Sequence, residues 1–286
     1  MIYNAVTFLS RITCAAPVGL RRGAGRLIGS LCWPLIPAKR REMAVANIID
    51  SLQLDREQAL HIAKESAVRF GTMFAEVLSF PQINQNTISR YVTLEGKEHL
   101  EEALSYGRGV VLATAHSGNW ELLGASLALH GYPLVAVVQK QTNAAMDRFI
   151  NDYRSLAGMH VTYKSGVRDM VRLLNKGMIV GLLMDQNAGK NGVFVNFFNR
   201  PASTPQGAAA LARMNDIPIV PAFITETSPG IHTAIIKPIV TVRKTDNREQ
   251  DIVDTTQELT DIIEQHIRQH PHEWFWLHNR WKTKQE

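Results

Sequence analysis

The sequence is poor in cysteine. Only Cys14 and Cys32 occur in 286 residues, and both stand among apolar neighbours. Two cysteines cannot build the disulfide framework of a small secreted scaffold, so free thiols that are packed or face lipid are expected, with a disulfide or a lipidated cysteine as the alternative. Internal repeats and low-complexity tracts are also absent, which argues against solenoids and disordered arrays.

Long apolar runs are missing as well. The longest uncharged stretch near the N-terminus, "LIGSLCWPLIPA", has twelve residues, whereas a transmembrane helix needs about 20. No basic segment precedes a clean apolar core, so a cleaved signal peptide is not predicted. The glycines of "GAGRLIG" (residues 23–29) follow no predicted strand, and their spacing is one residue too long for a dinucleotide-binding loop.

Acidic residues are absent before Glu42. The same segment holds seven basic residues: Arg11, Arg21, Arg22, Arg26, Lys39, Arg40 and Arg41. The rest of the chain is slightly acidic, so the basic character is local and predicts contact with an anionic surface rather than with nucleic acid.

The first residues show a helical apolar pattern. Ala5, Phe8, Leu9 and Ile12 fall at i, i+3, i+4 and i+7, which favours a helix lying in a membrane interface. A helix packed on the protein's own core is the alternative. We therefore expect a membrane-associating helical segment over residues 1–45 and a second domain over residues 46–286.

Strands and helices alternate after the helical region of residues 45–80, where Asp55 is a predicted N-cap and Pro81 a predicted stop. The apolar runs "GVVLATAH", "PLVAVVQK", "MHVTYK", "MIVGLLMD" and "IPIVPAFITE" are separated by helical segments, and "HTAIIKPIVTV" is expected to run antiparallel to its neighbour. This order predicts a single α/β domain with a mainly parallel, mixed sheet flanked by helices.

His116 stands where the strand "GVVLATAH" ends and a helix begins, which is where sites form in such sheets. Ser117 or Asn119 can cap that helix, and Glu121 falls in its first turn. Glu121 could accept a hydrogen bond from one imidazole nitrogen and leave the other nitrogen as a base. A helix-capping histidine is the alternative, and a metal site is not predicted because no second ligand has suitable spacing nearby.

Four blocks of the sequence share one resemblance. In order, they are "AHSGNWELLG" (115–124), "GLLMDQNAGKNGVFVNFF" (181–198), "PASTPQGAAALA" (201–212) and "HPHEWFWLHNRWKT" (270–283). The segment "HSGNWE" of the first block resembles the H-x-x-x-x-D/E motif of glycerolipid and lysophospholipid acyltransferases, and the four blocks together resemble the late acyltransferases of lipid A biosynthesis. The resemblance implies a glycerolipid acyltransferase-like fold and transfer of a fatty acyl group, without a cofactor, from acyl carrier protein to a hydroxyl of a lipid A precursor. It also implies a peripheral protein on the cytoplasmic face of the inner membrane.

The resemblance further implies the site residues. His116 would be the general base held by Glu121, and Arg154 would stabilise the oxyanion or an acceptor phosphate. Asn119, Asp185, Gln186 and Arg280 would hold or contact substrate, and Phe194, Phe197 and Phe198 would line or border the acyl pocket. Structural roles are the alternatives: a loop cap for Asp185, a buried strand for the phenylalanines and a core salt bridge for Arg280. The absence of G-x-S-x-G agrees with direct transfer.

Three other functions remain open. The acceptor could be another glycolipid or glycerolipid, with acyl-CoA as the donor, since mycobacterial phosphatidylinositol mannoside acyltransferases share these blocks. Water could replace the alcohol, which would make the protein a thioesterase. A membrane-surface scaffold without activity is the alternative of a different class, and the intact pair of His116 and Glu121 argues against it.

Overall fold

The computed structural model describes residues 2–164 and 166–285, and its centre is a seven-stranded sheet. The described residues form nine strands, seven in this sheet and two in a separate hairpin. They are β1 (Val92–Glu95), β2 (Val110–Thr114), β3 (Leu134–Val138), β4 (His160–Tyr163), β5 (Ile179–Leu183), β6 (Val193–Phe197), β7 (Arg200–Thr204), β8 (Ile219–Ser228) and β9 (Ile231–Ile236). The sheet order is β1-β9-β8-β2-β5-β3-β4, and β6 pairs with β7 in a separate antiparallel hairpin. Among the described residues, the strand pairings of the large sheet are parallel except for β8–β9, which is antiparallel. The predicted α/β class and mainly parallel sheet are confirmed.

Helices cover both faces of this sheet. They are α1 (Ile2–Ala15), α2 (Val18–Cys32), α3 (Ala38–Leu52), α4 (Arg56–Val77), α5 (Lys97–Ser105), α6 (Trp120–Leu129), α7 (Ala144–Leu156), α8 (Val167–Leu174), α9 (Gly207–Asn215) and α10 (Arg248–Gln269). Every residue of the central strand β2 is buried, as expected for a parallel strand packed on both faces. Two apolar cores result. One joins the sheet to α9, α10 and the C-terminal tryptophans, and the other joins it to α5, α6 and α7.

The long helix α4 begins at the predicted cap. The Asp55 carboxylate accepts a hydrogen bond from the Gln58 backbone N–H at 2.8 Å, and the Gln58 side chain accepts one from the Asp55 N–H at 3.3 Å. This reciprocal capping box satisfies two N–H groups that have no partner inside the helix. The helix ends at Val77, four residues before Pro81.

The glycines of "GAGRLIG" form a helix-packing seam. Gly25 and Gly29 of α2 face Gly71 and Val68 of α4, and a Cβ atom on Gly29 would stand 2.6 Å from the Val68 carbonyl oxygen. Only glycine permits this close approach of two backbones. The domain boundary expected after residue 45 falls inside the continuous helix α3, and α2 packs directly on α4. The N-terminal helices are therefore built into the rest of the fold.

The outer faces of the first two helices are apolar. In α1, Ser10 and Thr13 point inward and are buried. Exposed apolar side chains from this region form what we call the N-terminal apolar set: Phe8, Leu9, Ile12, Leu20, Leu27, Ile28, Leu31 and Leu35. Among the described residues, no helix combines the length and apolar character needed to span a membrane.

Candidate active site

The loop between β2 and α6 carries His116. Gly118 adopts a positive φ of +61°, and a Cβ atom there would collide with the Ile224 carbonyl oxygen. Glycine is therefore required for the turn. Asn119 then caps α6, since its Oδ1 accepts a hydrogen bond from the Leu122 N–H at 3.0 Å. The turn leaves the His116 side chain partly exposed at the carboxyl end of the sheet.

Asp185 is the hydrogen-bond partner of His116. Their Oδ1 and Nδ1 atoms lie 2.8 Å apart, and the His116 backbone N–H donates to Oδ2 at 3.0 Å. Both residues stand two positions beyond paired strand ends, because Thr114 of β2 is in register with Leu183 of β5. The residues that follow two neighbouring parallel strands lie at the same edge of the sheet. The register of β2 and β5 therefore brings His116 and Asp185 together.

Glu121 does not make the hydrogen bond to His116 that the five-residue spacing predicts. It forms an ion pair with Arg154 of α7, whose Nε lies 2.9 Å from Oε2 and whose Nη2 lies 2.6 Å from Oε1. The turn at Gly118 separates the imidazole from the first turn of α6, whereas the last turn of α7 presents Arg154 directly to Glu121. Arg154 also donates to the Asn151 side chain at 3.2 Å.

The surrounding charges stabilise the protonated form of His116. Burial lowers the pKa of His116, but the charge and hydrogen bond of Asp185, helped by the Glu121 charge, outweigh it and raise the pKa above its usual value. Burial raises the pKa of Asp185, yet His116, the Trp274 indole and the His116 amide together lower it. Asp185 is therefore ionised and fixes the Nδ1–H tautomer of a neutral imidazole. Among the described residues, no group hydrogen-bonds Nε2, which is left as the basic nitrogen.

An apolar cleft of about 480 Å³ lies beside this pair. Its polar end is formed by Trp120, Glu121 and Arg154. The Trp120 ring packs against the His116 ring with centroids 4.9 Å apart, so the imidazole adjoins that end. The remaining lining is apolar or small: Leu112, Thr114, Leu123, Gly124, Leu134, Ala136, Val137, Val138, Met159, Gly181 and Leu183. This mostly apolar lining is of the kind that suits an alkyl chain.

The expected acyl-pocket phenylalanines do not line this cleft. Phe197 and Phe198 are each 1% exposed and pack with Trp274, Trp276 and Trp281 in the core below the hairpin. Phe194 is half-buried in β6, opposite Ser203 of β7. Three tryptophans pack against Phe197 and Phe198, so these two rings are part of the aromatic core.

Arg280 is also interior and does not contact the cleft. It is 1% exposed, donates to the Ser203 carbonyl oxygen at 2.6 Å and hydrogen-bonds the Thr204 hydroxyl. Burial lowers its pKa to about 10, and the Asp185 charge opposes that shift. The expected core position is thus found, but the partners are oxygens of β7 rather than a carboxylate. Gln186 is half-buried directly after Asp185.

Asn119 uses both ends of its amide within the protein. In addition to its capping bond, its Nδ2 donates to Glu76 of α4 at 2.8 Å. These two bonds give Asn119 a structural role at the start of α6. Glu76 lies with Glu226 and His232 in a cluster of metal-ligand type, but Arg22 pairs with both carboxylates and Arg69 also pairs with Glu226. The two guanidinium groups already neutralise the carboxylates that a cation would need.

The C-terminal segment hydrogen-bonds to the loop between β2 and α6, which we name the catalytic loop after its candidate base His116. The Gly118 N–H donates to the Glu273 carbonyl oxygen at 3.0 Å, and the Phe275 N–H donates to the His116 carbonyl oxygen at 3.1 Å. Between them, the Trp274 indole N–H donates to Asp185 Oδ2 at 2.7 Å. The sequence pattern of aromatic and basic residues did not indicate this contact.

Comparison with known proteins identifies the chemistry. The family model described as bacterial lipid A biosynthesis acyltransferase matches residues 2–283. The chain belongs to this family. Members of the lipid A biosynthesis acyltransferase family transfer acyl groups, and the chain is accordingly an O-acyltransferase. The pairing of a basic nitrogen with an apolar cleft agrees with that chemistry.

Curated relatives of this family member fall into two groups. A phosphatidylinositol mannoside acyltransferase of Mycobacterium tuberculosis is 30% identical over 220 residues, which cover 74% of this chain and 67% of the relative. The lipid A biosynthesis lauroyltransferase of Escherichia coli is 26% identical over 204 residues, covering 70% and 64%. The lipid A biosynthesis palmitoleoyltransferase of Escherichia coli is 23% identical over 265 residues, which cover 91% of this chain and 84% of the relative. A crystal structure of the 1-acyl-sn-glycerophosphate acyltransferase of Thermotoga maritima aligns with a TM-score of 0.40 at 14% identity, covering 85% of this chain and 97% of that one.

Proposed function

We propose that the protein moves a fatty acyl chain from a thioester to a hydroxyl of a lipid A precursor, with His116 as the general base. The observation that carries this proposal is the His116–Asp185 pair beside the apolar cleft. The basic Nε2 has no partner among the described residues, and the cleft accepts the chain whose carbonyl must lie within reach of that nitrogen. Family membership supports the same reaction class.

The reaction needs no covalent enzyme intermediate. As the acceptor oxygen attacks the thioester carbonyl, its proton passes to Nε2 of His116 and a C–O bond forms. The C–S bond then breaks, and the departing thiolate takes the proton from Nε2. Asp185 stabilises the imidazolium between these steps, as a buried carboxylate does in other base-assisted acyl transfers.

The Glu121–Arg154 ion pair is assigned to the polar end of the cleft. Arg154 has one N–H on each terminal nitrogen beyond those bonded to Glu121 and Asn151. A cation held there stabilises the negative charge that develops on the thioester oxygen or the charge of an acceptor phosphate. Glu121 therefore acts on Arg154 and, through its charge, on the proton affinity of His116.

Acyl carrier protein is the proposed donor because exposed basic groups lie near the site. Lys39 and Arg40 are exposed on the first turn of α3. Burial is the main cause that lowers the pKa of His278, and the charges of His116, Arg280 and Arg40 also lower it, so Arg40 and the His116 pair both act on the same imidazole. An acidic carrier protein would be steered toward such a rim.

The donor is tested by competition between the two thioesters. Acyl carrier protein and CoA thioesters of the same chain are mixed near physiological salt, and product from each is counted. Preferential use of the carrier-protein thioester is expected, and Arg40→Glu with Lys39→Glu should reduce it. Equal or greater use of the CoA thioester would contradict the carrier-protein assignment. Glu98→Lys, at an exposed position of α5, is a control for charge change alone.

The second candidate acceptor is a phosphatidylinositol mannoside or a related glycolipid. The identity of 30% to the mycobacterial relative favours it. An acceptor panel separates the two candidates. Purified protein is offered a lipid A precursor and a phosphatidylinositol mannoside with one donor, and the acylated lipids are identified by mass spectrometry. Acylation of the lipid A precursor alone supports the first proposal, and acylation of the mannoside alone replaces it.

Membrane attachment through the N-terminal helices completes the proposal. The N-terminal apolar set would enter the lipid surface while Arg11 and Lys39 stay near anionic headgroups. A peripheral position at the cytoplasmic face of the inner membrane would bring a lipid acceptor to the site without a membrane-spanning helix.

A further inference from the structure

The Asp185 carboxylate accepts two hydrogen bonds in addition to its contact with the His116 imidazole. Its Oδ2 accepts hydrogen bonds from the His116 backbone N–H at 3.0 Å and from the Trp274 indole N–H at 2.7 Å, while Oδ1 faces His116 Nδ1 at 2.8 Å. Asp185 is 3% exposed. A buried carboxylate needs such donors because water cannot reach it. The indole supplies one without adding a charge that would compete with the imidazolium.

Trp274 is held firmly in place to make this bond. The Ser66 hydroxyl donates to the Trp274 carbonyl oxygen at 2.5 Å, and an antiparallel bridge joins Trp274 to Ser117. The ring packs edge-on against Phe197 and Trp276, with centroids 5.6 Å and 4.6 Å away. Packing and hydrogen bonds from α4, the catalytic loop and the aromatic core thus fix the direction of its N–H.

Neighbouring tryptophans do not share this role. The Trp276 indole N–H donates to the Pro271 carbonyl oxygen at 2.7 Å. The Trp281 indole N–H is buried without a partner among the described residues. All three rings belong to one core, so the contact of Trp274 with Asp185 is a property of that side chain alone and not of the aromatic cluster.

We propose that Trp274 is a positioning residue, which acts through Asp185 to set the orientation and the proton affinity of the base His116. The proposal rests on the proposed function of His116. The indole N–H shares the negative charge of Asp185 and holds Oδ1 toward Nδ1. Without it, more charge remains on the carboxylate and the imidazolium is stabilised further, so His116 must lose its proton at a higher pH before it can act as a base.

Other charges also face the pair and are kept constant in the test. Glu121 acts from α6, His278 and Arg280 act from the C-terminal segment, and Arg154 acts through its ion pair with Glu121. Replacing the Trp274 side chain changes none of these charged groups.

The test compares single Trp→Phe variants of the full chain, which keep an aromatic ring and remove the N–H. Trp274→Phe should lower kcat about tenfold with little change in KM, and its acid limb in the kcat profile should move upward by roughly half a pH unit. Trp276→Phe and Trp281→Phe are matched controls in the same core, and their acid limbs should coincide with that of the wild type. Coincidence of all four profiles would overturn the proposal.

Two further measurements make the outcome unambiguous. The Ser66→Ala variant keeps the Trp274 ring but removes the hydrogen bond to the Trp274 carbonyl oxygen. We therefore expect its acid limb in the kcat profile to move upward by less than that of Trp274→Phe. If Trp274→Phe does not fold, an unmoved acid limb in Ser66→Ala overturns the proposal. Activity of His116→Ala separates the two hypotheses: wild-type turnover there contradicts the proposed base itself, whereas an inactive His116→Ala with an unchanged Trp274→Phe contradicts only the role of Trp274.

Discussion

Arg154 binds both carboxylate oxygens of Glu121 across the polar end of the apolar cleft, with nitrogen–oxygen distances of 2.9 and 2.6 Å. The two charges are therefore fixed relative to each other. Because the Glu121 charge raises the pKa of His116, this ion pair links the geometry of the cleft to the proton affinity of the imidazole.

Glu121→Gln should separate these two effects. Loss of the charge lowers the pKa of His116, so the acid limb of the kcat/KM profile is expected at lower pH. The maximal rate should fall because Arg154 loses its anchor. Rate profiles from pH 5 to 9 measure both. Glu98→Gln on the exposed face of α5 is the control. An acid limb at or above the wild-type position would contradict the electrostatic role.

His116→Ala should leave the fold intact and reduce turnover by about 100-fold or more, the usual contribution of a general base. Far-UV circular dichroism and single-turnover assays measure the two quantities. His61→Ala, at an exposed position of α4, should retain full activity. Turnover of His116→Ala within twofold of the wild type would show that another group removes the acceptor proton.

Asp185→Asn should move the pH dependence in a defined direction. Asp185 raises the pKa of His116, so wild-type activity increases with pH as the raised pKa is passed and the neutral base forms. Removing the carboxylate charge lowers that pKa and shifts the acid limb downward, while the plateau falls because the imidazolium is no longer stabilised. An unchanged acid limb would contradict the pairing as the cause of the shift.

Gly181→Val should shorten the acyl chain that the enzyme prefers. Gly181 lines the cleft, and a Cβ atom there meets its nearest neighbours at 3.6 Å or more, so the strand has room for a Cβ atom, and valine is favoured in strands. The added methyl groups occupy space otherwise filled by the alkyl chain, where each buried CH₂ contributes about 0.8 kcal/mol. Ratios of kcat/KM across a thioester series measure the shift. Gly207→Ala, in open space on α9, should keep the wild-type preference, and an unchanged ratio in Gly181→Val would place the acyl chain elsewhere.

Replacing Leu27, Leu31 and Leu35 with serine should weaken binding to anionic phospholipid vesicles by at least about tenfold, since each buried leucine contributes roughly 1.5–3 kcal/mol. Met214→Ser, at an exposed position of α9, is the control. Salt should release the protein only in part, because Arg22 and Arg26 already pair with carboxylates of α4. Sedimentation with vesicles measures binding, and unchanged binding of the triple variant would exclude this face as the lipid contact.

The fold was largely predictable because its strands are apolar runs between helices with clear boundaries. The four-residue strand β1 (Val92–Glu95) was missed, since "VTLE" has too few residues to show a period. His116 was singled out from its place after β2, and its role as a base stays a prediction. Its partner was assigned wrongly because spacing along the chain ignores the turn at Gly118, whereas the strand register brings Asp185 from 69 residues away.

The aromatic residues near the C-terminus were the hardest to interpret. Tryptophans mixed with basic residues are typical of a lipid–water interface, but Trp274 and Trp276 are each 1% exposed. Amino-acid composition does not predict which side chains are in contact in the folded protein. The alternation of strands and helices did carry one usable signal for Asp185, namely an acidic residue two positions after a strand, which is the same place that His116 takes after β2.

The bond between Trp274 and Asp185 joins residues 89 positions apart, and the bond from Ser66 to Trp274 joins residues 208 positions apart. Such distant pairings form late, because a long chain must first be closed into a loop. A nascent chain that ends before residue 273 already contains His116, Asp185 and the cleft but not the segment that orders the catalytic loop. Acyl transfer should therefore begin only when synthesis has passed this segment, so that an unfinished chain on the ribosome does not consume activated fatty acid.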